Sequence, residues 1–100
     1  MPQVTIQYFQ GCPHWQLAEE RLRRVARGRE DVSIERQLVE TTEDAEQLGF
    51  TGSPTILVDG VDPFAEPNQP VGLGCRVYQT PGGVAGSPTV EQLERVLAPS

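Results

Sequence analysis

Apolar and polar residues alternate through Val4, Ile6 and Tyr8, the period of a half-buried strand, until Gly11 breaks the run. Trp15, Ala18, Leu22, Val25 and Ala26 then recur at helical spacing. Pro13 suits the first turn of that helix, where a missing N–H is no loss, and Gly28 is its expected stop. Alternation returns through Val32 and Ile34, predicting a second strand over 32–39. Thr41 or Thr42 caps a short helix through Ala45 and Leu48 that Gly49 ends. "TILV" at 55–58 is a β-branched run bounded by Pro54 and by Asp59-Gly60, a hairpin-type turn. A loop rich in proline and glycine covers 61–74, and "CRVYQT" at 75–80 reads as a last strand closed by "PGG". Thr89 and Gln92 form a capping box ahead of Leu93, Val96 and Leu97, the apolar face of a terminal helix.

The predicted order is strand, helix, strand, helix, strand, strand, helix. Strand-helix-strand units imply parallel pairing, and the final hairpin adds antiparallel strands. The chain of 100 residues reads as one domain, 1–100, without repeat or linker.

Composition narrows the function. The formal net charge is -6, and all eight basic residues are arginines. An acidic chain without a basic stripe is a poor partner for nucleic acid or an anionic membrane. Arg21, Arg23, Arg24, Arg27 and Arg29 cluster, but at helical spacing among Glu19, Glu20 and Glu30, as on a solvated helix face. No stretch approaches the ~20 apolar residues of a membrane helix, and "MPQVTIQYF" lacks the regions of a signal peptide. The expected location is the cytoplasm, where structural disulfides are rare, so the two cysteines call for packing, metal or chemistry.

Two motifs stand at element junctions. "CPHW", residues 12–15, joins the first strand to the first helix, and "SPT", residues 53–55, opens the third strand. The element order resembles the minimal thioredoxin fold, which implies an α/β domain with a mixed four-stranded sheet and helices on both faces. Cys12, Pro13 and His14 are similar to the C-P-H-C motif of DsbA-type disulfide oxidases, and Trp15 departs from it. Pro54 resembles the cis-proline that packs against the active-site cysteine in that superfamily. "GSPTILVDGVDPF" at 52–64 and "CRVY" at 75–78 resemble a closer group, small bacterial thioredoxin-like proteins. Some of these are labelled selenoprotein homologues and others alkylmercury-lyase-like.

On this reading Cys12 sits at the N-cap of the first helix, where free N–H groups and the dipole favour a thiolate. His14, the sole histidine, lies within the first turn and is suited to tuning that thiol. With no second histidine, a Cys-His hydrolase is disfavoured. Position in a loop after Gly11 argues for an accessible rather than a buried Cys12. Trp15 excludes the local disulfide of CxxC proteins, so Cys12 acts alone, as in monothiol glutaredoxins, or with a distant partner. Trp15 either packs in the core or shields the thiol.

Cys75 is the one cysteine available as partner. If residues 75–80 pair antiparallel with 55–58, Cys75 lies opposite Asp59, about 13 Å from the Pro54 end. A disulfide needs Cα atoms within about 7 Å, so that register forbids one. If loop 61–74 instead carries the chain back across that end, Cys75 can resolve a sulfenic acid or mixed disulfide on Cys12. Asp59, Asp62 and Glu66 resemble a calcium loop only superficially, and Asp59-Gly60 is better read as a turn.

The expectation is a thiol-disulfide oxidoreductase-like protein with Cys12, His14 and Cys75 in the chemistry. Pro13, Trp15, Ser53, Pro54 and Thr55 would face a protein disulfide or a small thiol such as glutathione. No cofactor and no dedicated metal site are implied. The alternatives are soft-metal binding (mercury, copper or zinc) by the two cysteines, and a non-catalytic interaction module.

Overall fold

The first strand forms where the alternation placed it. β1 (Gln3–Tyr8) buries Val4 and Ile6 completely on one face and carries Thr5 and Gln7 on the other. The computed structural model describes residues 3–27, 31–66 and 69–97. After β1 come α1 (His14–Ala26), β2 (Ser33–Leu38), α2 (Thr42–Leu48) and β3 (Thr55–Val58). β4 (Tyr78–Thr80), β5 (Gly83–Ala85) and α3 (Val90–Val96) complete the order. Gly28, the expected stop of α1, lies outside the described residues, as do Arg29 and Glu30 of the arginine-rich face.

The caps match the side chains present. Thr41 accepts from the Asp44 N–H at the start of α2, and Gly49 closes that helix with φ 67°. Thr89 and Gln92 form a reciprocal capping box at α3, a device typically worth about 1 kcal/mol. Pro13 takes the N-cap of α1, which leaves that position without a side-chain cap and sets Cys12 one residue before it.

Three strands form a mixed sheet in the order β2-β1-β3. β1 and β2 run parallel, with Val4 beside Ile34 and Ile6 beside Arg36. β3 runs antiparallel to β1, with Ile6 beside Ile56. The α2 connection therefore does not return the chain in its former direction. Val4, Ile6 and Ile56 meet Ala18 and Leu22 of α1, Leu93 of α3 and the C-cap residue Leu97 in the main core. α2 contributes Ala45 to a second, smaller cluster with Val39 and Phe50.

The expected fourth strand does not join this sheet. Residues 75–77 stay irregular, and β4 pairs with β5 instead, Gln79 opposite Val84, in a separate hairpin. The "PGG" stretch is thus the hairpin's turn and the start of a strand that short Gly-rich sequence concealed. Asp59 and Gly60 do form the expected turn, with φ of 52° and 83° and Val58 and Val61 exchanging hydrogen bonds. Only the single Val58–Val61 bridge follows it, because the chain leaves to pair elsewhere. Among the described residues no helix is long and apolar enough to cross a membrane.

Candidate functional site

Cys75 reaches the first helix through one backbone exchange. Ser53 donates its N–H to the Gly74 carbonyl at 2.7 Å, and Arg76 donates its N–H to the Ser53 carbonyl at 2.9 Å. This is an isolated parallel bridge between Ser53 and Cys75, not the antiparallel register with Asp59. Gly52 permits the approach, since a Cβ there would sit 2.9 Å from the Arg76 Cβ. By Gly74 the chain is back at the Pro54 end, and the separation of about 13 Å in the antiparallel register is overturned.

Cys12 and Cys75 form a disulfide with Cα atoms 5.7 Å apart. The bond is one-sided. Cys12 is fully buried, contrary to the accessible position expected of it, whereas Cys75 is exposed. Cys12 Sγ faces the Ser53 carbonyl oxygen at 3.6 Å, beneath the segment that holds Cys75. The Ser53–Pro54 peptide is cis.

His14 belongs to the same constellation. A ring nitrogen of His14 and the two sulfurs all lie within 4.8 Å of one another. The imidazole is exposed and packs on one side against Gly86, where a Cβ would stand 2.5 Å from the His14 Cγ and 2.7 Å from Nδ1. An imidazole at this range can exchange a proton with a leaving or attacking sulfur through one bridging water.

The anchor of Cys75 is its neighbour. Arg76 has a buried side chain that pairs with Asp62 at 2.7 Å and donates to the Phe64 carbonyl, also at 2.7 Å. Its guanidinium lies 4.7 Å from the Tyr78 ring centroid, and the Tyr78 hydroxyl donates to the Pro54 carbonyl. Burial pushes the Tyr78 phenol well above its ordinary range, against the opposing Arg76 cation and with a smaller push from Asp62. Asp62 is therefore a counter-ion in the fold. A lone Arg after a Cys carried no sign in the sequence of the carboxylate fourteen residues before it.

The remaining expected site residues divide. Pro13 is exposed beside the pair; Ser53, Pro54 and Thr55 are buried. Both backbone groups of Ser53 are engaged by residues 74–76, so the edge on which a partner was expected to add is taken by the chain itself. Ser53 Oγ is buried and without a hydrogen-bond partner among the described residues. Thr55 donates its hydroxyl to the Gly52 carbonyl at 2.6 Å. Trp15 is half-buried in a row of its own, 4.3 Å from the Tyr8 ring centroid and 5.1 Å from the Arg36 guanidinium. Arg36 in turn pairs with Glu19 of α1. Trp15 thus ties the start of α1 to β1 and β2.

A groove of about 160 Å³ lies beside the exposed sulfur, lined by Thr51, Gly52, residues 70–74 and Cys75. Pro70, Val71 and Leu73 line it beside three glycines. Comparison with known proteins gave no match: no family model fits the sequence, and no curated protein or solved structure is significantly similar.

Proposed function

We propose that this chain is a thioredoxin-like thiol-disulfide exchange protein whose working pair is Cys12 and Cys75. The observation that carries the proposal is the one-sided burial of the disulfide. A bond meant only to staple the fold gains from having both sulfurs hidden, whereas exchange requires one sulfur open to an incoming thiolate. Supporting the thioredoxin-like reading are the β2-β1-β3 order, the placement of Cys12 between β1 and α1, and Pro54 before β3.

The exposure pattern exchanges the roles expected of the two cysteines. An external thiolate attacks Cys75 Sγ, the S–S bond breaks, and its electron pair leaves on Cys12 Sγ. The product is a mixed disulfide on Cys75 and a thiolate at Cys12. The positive end of α1 favours that thiolate, and His14 or solvent supplies its proton. A second external thiol then attacks the partner's sulfur and releases Cys75 as a thiol. In the reverse direction Cys75 attacks a disulfide partner, and Cys12 resolves the adduct. The partner class is a protein disulfide or a small thiol such as glutathione, and the groove beside Cys75 is where it would lie.

Equilibration with glutathione buffers tests this. An exchange protein reaches half-reduction at a potential of about -270 mV or higher, whereas a structural bond lies below about -300 mV. Half-reduction only below the second value would make the disulfide a staple and leave a non-catalytic module.

A further inference from the structure

We propose that, once the disulfide is reduced, Cys12, His14 and Cys75 together hold one copper(I) ion. The three donor atoms already lie within 4.8 Å of one another and come from two separate parts of the chain. Metal–thiolate bonds of about 2.3 Å set near 120° place two sulfurs about 4 Å apart. Rotation about the Cα–Cβ bonds of two residues whose Cα atoms are 5.7 Å apart supplies that separation without displacing the backbone. The His14 imidazole packs against Gly86 on one side, with a ring nitrogen already within 4.8 Å of both sulfurs.

The donor set selects the ion. Two thiolates and one imidazole are soft to borderline, which favours copper(I) or zinc over calcium or magnesium. Structural zinc takes four protein ligands, and the described residues bring only these three together. Copper(I), a soft d10 ion, is satisfied by two or three. Because Cys12 is buried and Cys75 exposed, the ion would enter from the Cys75 and His14 side and finish against the hidden sulfur.

Redox state gates the site. A dithiol reductant transfers two electrons and two protons to the disulfide, giving two thiols and the oxidised, cyclic form of the reductant. Copper(I) then displaces the two thiol protons and accepts a lone pair from neutral His14. Re-forming the disulfide, with two electrons passing to an acceptor disulfide, removes both sulfur donors and releases the ion. The inference rests on the same cysteine pair as the exchange reading, but the binding step itself requires no exchange partner.

The test is an anaerobic titration of the reduced chain with copper(I) against bathocuproine disulfonate, following loss of the coloured chelate. The expected result is one copper per chain for the reduced protein and no competition by the oxidised one. His14→Ala should weaken binding at least about tenfold, and Cys75→Ser further still. The NMR resonances of the single imidazole, observed in the wild-type chain, should shift on addition of one equivalent. Equal competition by oxidised protein, one copper shared between two chains, or imidazole resonances that stay in place would each overturn the proposal. Copper binding is read on reduced protein and the glutathione equilibrium on the disulfide, so either can fail with the other intact.

Discussion

The imidazole of His14 rests against the backbone of Gly86, at the opposite end of the chain from the helix that carries it. A Cβ at residue 86 would overlap the ring at 2.5 Å. Gly86→Ala should therefore push the imidazole off the disulfide without touching either cysteine. Gly86 does not adopt a positive φ, so alanine fits its backbone and stability should change little. The expected outcome is a roughly tenfold slower reduction by a small dithiol at neutral pH, at or below the low end of what a positioned acid contributes. His14→Ala should show the same loss, and the two changes combined should be no slower than either alone.

Arg76 and Asp62 hold the segment that presents Cys75, and the Arg76 side chain is 2% exposed. Removing either partner strands a charge in or near the interior. Arg76→Met and Asp62→Ala should each cost about 2–4 kcal/mol in urea unfolding with the disulfide intact. The double variant should lose at least about 1 kcal/mol less than the sum, since the second change removes a charge the first left unpaired.

Stability at acid pH should depend on Glu19. Its hydrogen bond from Arg36 holds the carboxyl below the usual range, opposed by burial and reinforced by the charges of Arg36 and Arg23. A depressed folded-state pKa stabilises the native state above the unfolded pKa of about 4.3, and that contribution is lost as pH falls through the folded value. Urea midpoints measured from pH 6 to pH 3 should therefore fall more steeply for the wild type than for Glu19→Gln.

At alkaline pH the sign reverses for Tyr78. Its phenol is raised in the folded state, so its contribution is whole below the unfolded pKa of about 10 and is lost as pH rises toward the folded value. Tyr78→Phe should cost about 1 kcal/mol at pH 7, from the lost hydrogen bond to Pro54, and should show a flatter decline of stability above pH 10.

What could be read from the sequence follows from how local each signal was. β1, α1 and the caps of α2 and α3 depend on neighbours within a turn or a strand, and Val4, Ile6, Ala18, Leu22 and Leu93 all lie in the core their periodicity assigned. Cys12 and His14 were legible as candidates because a cysteine and a histidine flank a proline before a helix, and the structure does bring both beside Cys75. Placing Cys75 needed a long-range register, and the run "CRVYQT" read as one continuous strand. The buried demands of Arg76 decided otherwise: its ties to Asp62 and the Phe64 carbonyl, with the Ser53 bridge, draw the segment to the Pro54 end. Gly86 gave no signal, since its role is the absence of a side chain beside a ring seventy-two residues earlier in the chain.

If exchange runs as proposed, Cys75 and not Cys12 is the sulfur that meets the partner. The direct measurement is to expose the oxidised chain to a labelled monothiol, quench rapidly in acid, and locate the mixed disulfide by peptide mass spectrometry. The label is expected on the peptide carrying Cys75, with Cys12 released as a free thiol. Label on Cys12 would overturn the assignment of Cys75 as the attacked sulfur.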